Sequence, residues 1–108
     1  MSFDGAGISQ QMIGAGAAAF GNDWQVAKEF AEAEFRTLGT RLETIAAQSA
    51  QGMHPALAKS LFDAQVRTAV QIIAGATALT LLAVEAAINA VIDAIRTALN
   101  DAIGFVLV

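Results

Sequence analysis

Thr68 to Val84 is a run of seventeen residues without a charged side chain, TAVQIIAGATALTLLAV. The chain continues to Val108 with only Glu85, Asp93, Arg96 and Asp101 charged. Such a C-terminal part must hide a large apolar surface, because apolar area left in water costs free energy roughly in proportion to its size. Three places can hide it: the chain's own core, another copy of the chain, or a lipid bilayer.

Length makes the demand sharper. A chain of 108 residues forms one domain, and a domain this small buries only about two-thirds of the surface that its unfolded chain exposes. At 56% hydrophobic residues the sequence lies above the usual composition. A monomer is thus expected to leave apolar surface wet, which self-association or membrane contact would relieve.

The charge balance limits the partners. Ten acids against six Lys and Arg give a net charge of −4, with no basic cluster. Phosphate backbones need a basic face, so nucleic acid is not an expected partner. The same balance weakens electrostatic docking on anionic lipid. The chain has no cysteine, so disulfides, thiolate metal sites and cysteine nucleophiles are excluded. The start, Met-Ser-Phe-Asp, lacks the basic region of a cleavable signal, and a cytoplasmic or particle-associated location fits best.

The pattern along the chain is helical. Residues 1–7 read as a frayed start. Ile8 to Phe20 reads as a short helix in which alanine favours the fold and Gly14 and Gly16 weaken it. Gly14 and Ala18, four residues apart, would let another helix approach closely. Asn22 or Asp23 can cap a second helix over about 23–51. In it, Trp24, Ala31, Phe35, Leu38, Leu42 and Ile45 are spaced 7, 4, 3, 4, 3, a coiled-coil-like heptad seam that fades at Ser49. Gly39 lies off this seam. Glu32 and Arg36 are placed for an i, i+4 ion pair.

Gly52 suits a helix C-terminus and Pro55 suits the first turn of the next helix. This turn predicts an antiparallel helical hairpin. From Pro55 to Asn100 no further proline occurs, and the third helix is expected to run over about 55–100, with Gly75 and Glu85 as the places where it could break. The fold class is therefore all-α: a hairpin of helices 23–51 and 55–100 with a short N-terminal helix over 8–20, assembled into a homo-oligomer. The seam holds the hairpin. Ile72, Leu79, Leu82, Ile88, Ile92 and Ile95 form the surface that meets other subunits or, in the alternative, a membrane. Glu85, Asn89, Asp93, Arg96 and Asn100, spaced 4, 4, 3, 4, form a polar stripe on the solvent side of the same segment. The apolar tail Gly104–Val108 is expected to dock, since a free tail of that composition invites aggregation.

No arrangement announces a reaction. His54, the single histidine, precedes a proline in the predicted turn with no carboxylate or hydroxyl at a motif spacing. Di-iron bundles need Glu-x-x-His on two helices, and the chain has none. Gly-Ala-Gly at 5–7 and 14–16 lacks the strand and the Lys-Ser/Thr of a phosphate loop, and no G-x-S-x-G elbow occurs. No catalytic residue, metal ligand, cofactor or small-molecule substrate is expected.

The run Thr68–Val84 sits at the lower edge of the length that spans a bilayer. Alanine, threonine, glycine and glutamine fill more than half of it, and aromatic flanks are missing. A buried helix in an assembly is the better reading. A small membrane-active protein, holin-like or pore-forming, is the alternative.

The stretches AEAEFRTLGTRLETIA (31–46) and EAAINAVIDAIRTALNDAIGF (85–105) resemble small uncharacterised bacterial or prophage proteins of about this length. Those proteins pair an acidic, alanine-rich helix with an apolar one that ends in a Gly-Phe tail. The resemblance covers about half the chain. It implies the helical fold type and assigns no activity.

Overall fold

The computed structural model describes residues 3–108. It is all-helical. Helix α1 spans Gly5–Phe20, α2 Trp24–Ala50, α3 Pro55–Thr77 and α4 Leu81–Ile103, and a single 3₁₀ turn, Gly21–Asp23, joins α1 to α2. The α1–α2, α2–α3, α3–α4 and α4–α1 pairs all pack, so the helices close a ring around one core in a body of 40 × 21 × 18 Å.

Helix α1 begins earlier than its hydrophobicity indicates. The Asp4 side chain accepts the Gly7 N–H at 2.9 Å, an N-cap that satisfies one of the unpaired donors of the first turn. Glu43 Oε1 of α2 accepts the Gly5 N–H at 3.1 Å. A cap and a tertiary partner together fix a first turn that alanine and glycine alone would leave weak. The frayed start expected for residues 1–7 is thus ordered from Asp4 onward, and residues 1 and 2 lie outside the described part.

The turn between α2 and α3 follows the sequence closely. Gly52 has φ +104°. The Gln51, Gly52 and Met53 N–H groups bond back to the Gln48 and Ser49 carbonyls. The His54 side chain then caps α3, its Nδ1 accepting the Ala56 N–H at 3.1 Å, and Pro55 opens the helix. His54 is an exposed turn residue.

The single helix expected over 55–100 is two helices. The break is at Ala78–Thr80, not at Gly75 or Glu85. Ala78 adopts the left-handed conformation, φ 61°, the Thr77 hydroxyl accepts the Leu79 N–H at 3.3 Å, and the Thr80 hydroxyl caps α4 through the Ala83 N–H at 3.1 Å. Two threonines thus supply the partners that a chain reversal needs, at the cost of placing a Cβ where glycine is preferred. The reversal cuts the uncharged run in two. Among the described residues no helix is long and apolar enough to cross a membrane.

The core is a single cluster drawn from all four helices and the tail. Phe35, Phe62, Met12, Leu38, Leu42, Ile73, Ile88, Leu99 and Leu107 are its largest fully buried side chains. The five seam residues after Trp24, Ala31, Phe35, Leu38, Leu42 and Ile45, are all buried. Trp24 is only half-buried and packs on Phe20, ring centroids 5.9 Å apart.

Gly14 and Ala18 are both exposed, and a close helix approach lies elsewhere. It is where Gly5 and Ser9 of α1 cross Gly39 of α2. A Cβ on Gly39 would overlap Ser9 Oγ and the Gly5 carbonyl, and a Cβ on Gly5 would overlap the Gly39 carbonyl. The buried Ser9 hydroxyl sits between the Gly5 carbonyl at 2.9 Å and the Phe35 carbonyl at 3.0 Å, so its one proton ties the two helices together. Gly39, off the heptad seam, is the residue that permits this crossing.

Candidate self-association surface

Folding does not hide all of the C-terminal apolar surface. Leu82 remains 77% exposed, Leu81 53% and Ile72 45%. Leu57 and Leu61 on α3 and Val26 and Phe30 on α2 are also exposed. Each pair is spaced i, i+4 and so forms one short ridge on its helix. These four lie outside the surface expected from the sequence, although their i, i+4 spacing is visible there.

The surface predicted from sequence divides in the structure. Ile72 and Leu82 are exposed and Leu79 is part-buried, as a contact surface requires. Ile88 and Ile95 are not surface residues: both are buried in the chain's own core, at 0% and 4% exposure. Their side of α4 faces α1 and the bundle interior. Ile92 is part-buried at the edge of the core. The physical reason is the break at Ala78–Thr80, which folds α4 back so that its broad apolar face closes the bundle.

Ile92 lines a cleft between α3 and α4. One section, about 460 Å³, has Phe62 and Val66 of α3, Ile92 of α4 and the tail residues Leu107 and Val108 in its walls. A second section, about 360 Å³, continues toward the chain reversal past Val70 and Leu81. Asp63, Val66 and Asn89 border both. Charged residues of both signs stand along the cleft: Lys59, Asp63 and Arg67 from α3, Glu85, Asp93 and Arg96 from α4.

Glu85, Asn89, Asp93 and Arg96 of the polar stripe are exposed. Asp93 and Arg96 form an ion pair. Glu32 and Arg36 are 3.9 Å apart, a loose contact. Exposed pairs of this kind contribute little. Asn100 departs from the stripe. It is part-buried, and its side chain holds the tail: Oδ1 accepts the Leu107 N–H at 2.9 Å and the Val108 N–H at 3.1 Å, and Nδ2 donates to the Val108 carbonyl at 3.1 Å. Gly104, φ +91°, turns the chain so that these groups meet. The expected docking of the tail therefore has a specific clamp.

The electrostatics are otherwise quiet. Partial burial raises the Glu34 carboxyl above the ordinary carboxylate range. Among the described residues no group of three His, Asp or Glu side chains is close enough together to hold a metal ion. The Ser49 hydroxyl, where the seam runs out, is buried with no hydrogen-bond partner. It stands beside an end recess of about 660 Å³ whose walls include Phe3, Ile103 and Phe105. The one acid there, Glu43, already accepts the Gly5 N–H.

Comparison of the chain with protein-family models, with curated proteins and with solved structures found no match.

Proposed function

We propose that this chain is a non-enzymatic helical protein that works by self-assembly. Its α2–α3 antiparallel hairpin and the returning α4 make a compact subunit, and apolar side chains left outside that subunit join it to further copies. The observation that carries this reading is the residue of the uncharged run that folding leaves wet: Ile72, Leu81 and Leu82, with Leu82 at 77% exposure. Isolated exposed apolar side chains are ordinary. These three come from one segment without a charge between Arg67 and Glu85, so a second copy can approach it without like-charge repulsion despite the net charge of −4.

A structural component of a phage or phage-like particle, or of another bacterial assembly, fits a small acidic helical subunit of this kind. The alternative, a holin-like or pore-forming protein, asks for a spanning helix, and the described residues offer none.

Leu82→Asp tests the reading. A charge at a buried subunit contact is costly unless paired, whereas at a free surface it is nearly neutral. Sedimentation velocity should show wild type as a discrete oligomer and Leu82→Asp as a smaller species with unchanged helicity. Equal masses for the two would remove Leu82 from the interface.

A further inference from the structure

We infer that α3 and α4 can straighten into one continuous helix, and that copies of this chain associate by exchanging α4 across that opened hinge. This inference rests on the self-assembly proposed above and states how it happens.

The hinge favours it. Ala78 is the only non-glycine residue with positive φ among the described residues, a conformation that an L side chain resists. The hinge is three residues long, Ala78 to Thr80, between helices that end at Thr77 and begin at Leu81. It contains neither glycine nor proline, so only the Thr80 cap and the modest helix penalty of threonine oppose a helical backbone. Its sequence reads as the middle of a helix running from Pro55 to Asn100. Short, strained hinges of this kind are where domain exchange occurs.

The two arms favour it as well. The α3–α4 cleft is open along two adjoining sections, so the two helices are less closely joined than either is to the core. Exchange would return α4 to the same α1 and core contacts in a second copy, so that Ile88, Ile95 and Leu99 stay buried.

The straightened helix also gives a use to Ile72 and Leu82, which the closed subunit leaves wet. Ile72, Gly75, Leu79 and Leu82 are spaced 3, 4, 3, which in a continuous helix makes one uncharged stripe across the former hinge. In the closed form the hinge splits this stripe. Two straightened helices crossing antiparallel about this point would bury it against itself, and Gly75, whose missing Cβ faces open space in the closed form, would let them approach. Arg67 and Glu85 bound the stripe. They are eighteen residues apart, five full turns, and so lie on the same flank. In an antiparallel two-fold crossing, same-flank positions meet, which brings Arg67 of each copy toward Glu85 of the other.

A distance measurement tests this. The chain has no cysteine, so Ser60→Cys and Thr97→Cys, both at exposed positions, take a pair of spin labels. Lys59 and Arg96 beside them border the same stretch of cleft. The labels of a closed chain therefore lie roughly 25 Å apart or less, since packed helices are about 10 Å apart. In one continuous helix they are about 55 Å apart, at 1.5 Å per residue. Labelled chains are diluted in an excess of unlabelled chains, so that only distances within a chain are read. The oligomer fraction should show the long distance. Ala78→Gly, which removes the strain of the closed hinge and weakens the straight helix, should shift the equilibrium toward closed monomer by roughly 20- to 150-fold per hinge. Thr80→Ala, which removes the α4 cap and favours helix, should shift it the other way about tenfold. An oligomer showing only the short distance overturns the exchange and leaves self-assembly standing. A monomer at every concentration overturns both.

Discussion

Asn100 and Leu107 are joined by a hydrogen bond of 2.9 Å from the Leu107 backbone N–H to the Asn100 side-chain oxygen, and the Leu107 side chain is fully buried. The same amide also holds both backbone groups of Val108. One side chain near the end of α4 therefore converts an apolar tail into part of the core. Replacing Asn100 by Ala deletes three hydrogen bonds and should cost about 2 kcal/mol or more, with the tail released to carboxypeptidase. Asn100→Asp keeps the acceptor for the Leu107 and Val108 N–H groups but sets a carboxylate oxygen against the Val108 oxygen, so its loss should be at least as large. Denaturant unfolding of the two variants against wild type checks the order.

The α1–α2 crossing makes a paired prediction about glycines. Gly39→Ala places a methyl group against Ser9 Oγ and the Gly5 backbone, atoms that cannot move without parting the helices. Overpacking of this sort costs about 1–3 kcal/mol, more than the helix propensity that alanine returns. Gly14→Ala meets nothing within 4 Å and should stabilise by about 0.5–1 kcal/mol. Opposite signs in urea unfolding are expected.

Glu34 should leave a mark on the pH dependence of stability. Its carboxyl is raised in the folded chain by partial burial, which penalises the charged form. Above the unfolded value the folded state then binds more protons than the unfolded state, so this group's contribution to stability falls as pH rises from about 4.5 through the raised folded value. Glu34→Gln should flatten that segment of the profile and be at least as stable as wild type at neutral pH. A profile unchanged by the substitution would show that burial does not perturb this carboxyl.

The places where sequence and structure part are instructive because each has a physical cause. The heptad seam from Ala31 to Ile45 was legible, since period and burial coincide there. The turn at Gly52–Pro55 was legible because both residues carry strong backbone preferences. The reversal at Ala78 was not, because it uses neither glycine nor proline and depends on two threonine hydroxyls whose role appears only in three dimensions. That one reversal accounts for the misplacement of Ile88 and Ile95, which a continuous helix would leave outside and the folded-back α4 buries. From the sequence Gly39 is only a residue off the seam, because a heptad template has no position for a second contact face. Asn100 was assigned to a wet stripe by its spacing, and the tail it holds lies seven and eight residues further on, beyond the reach of helix periodicity.

Light scattering after size exclusion, on chain expressed without detergent and run over a range of concentrations, tests the self-assembly reading most directly. A discrete oligomer of constant mass that dissociates only on dilution is the result predicted. A well-folded monomer throughout that range, or recovery solely in the membrane fraction, would contradict it.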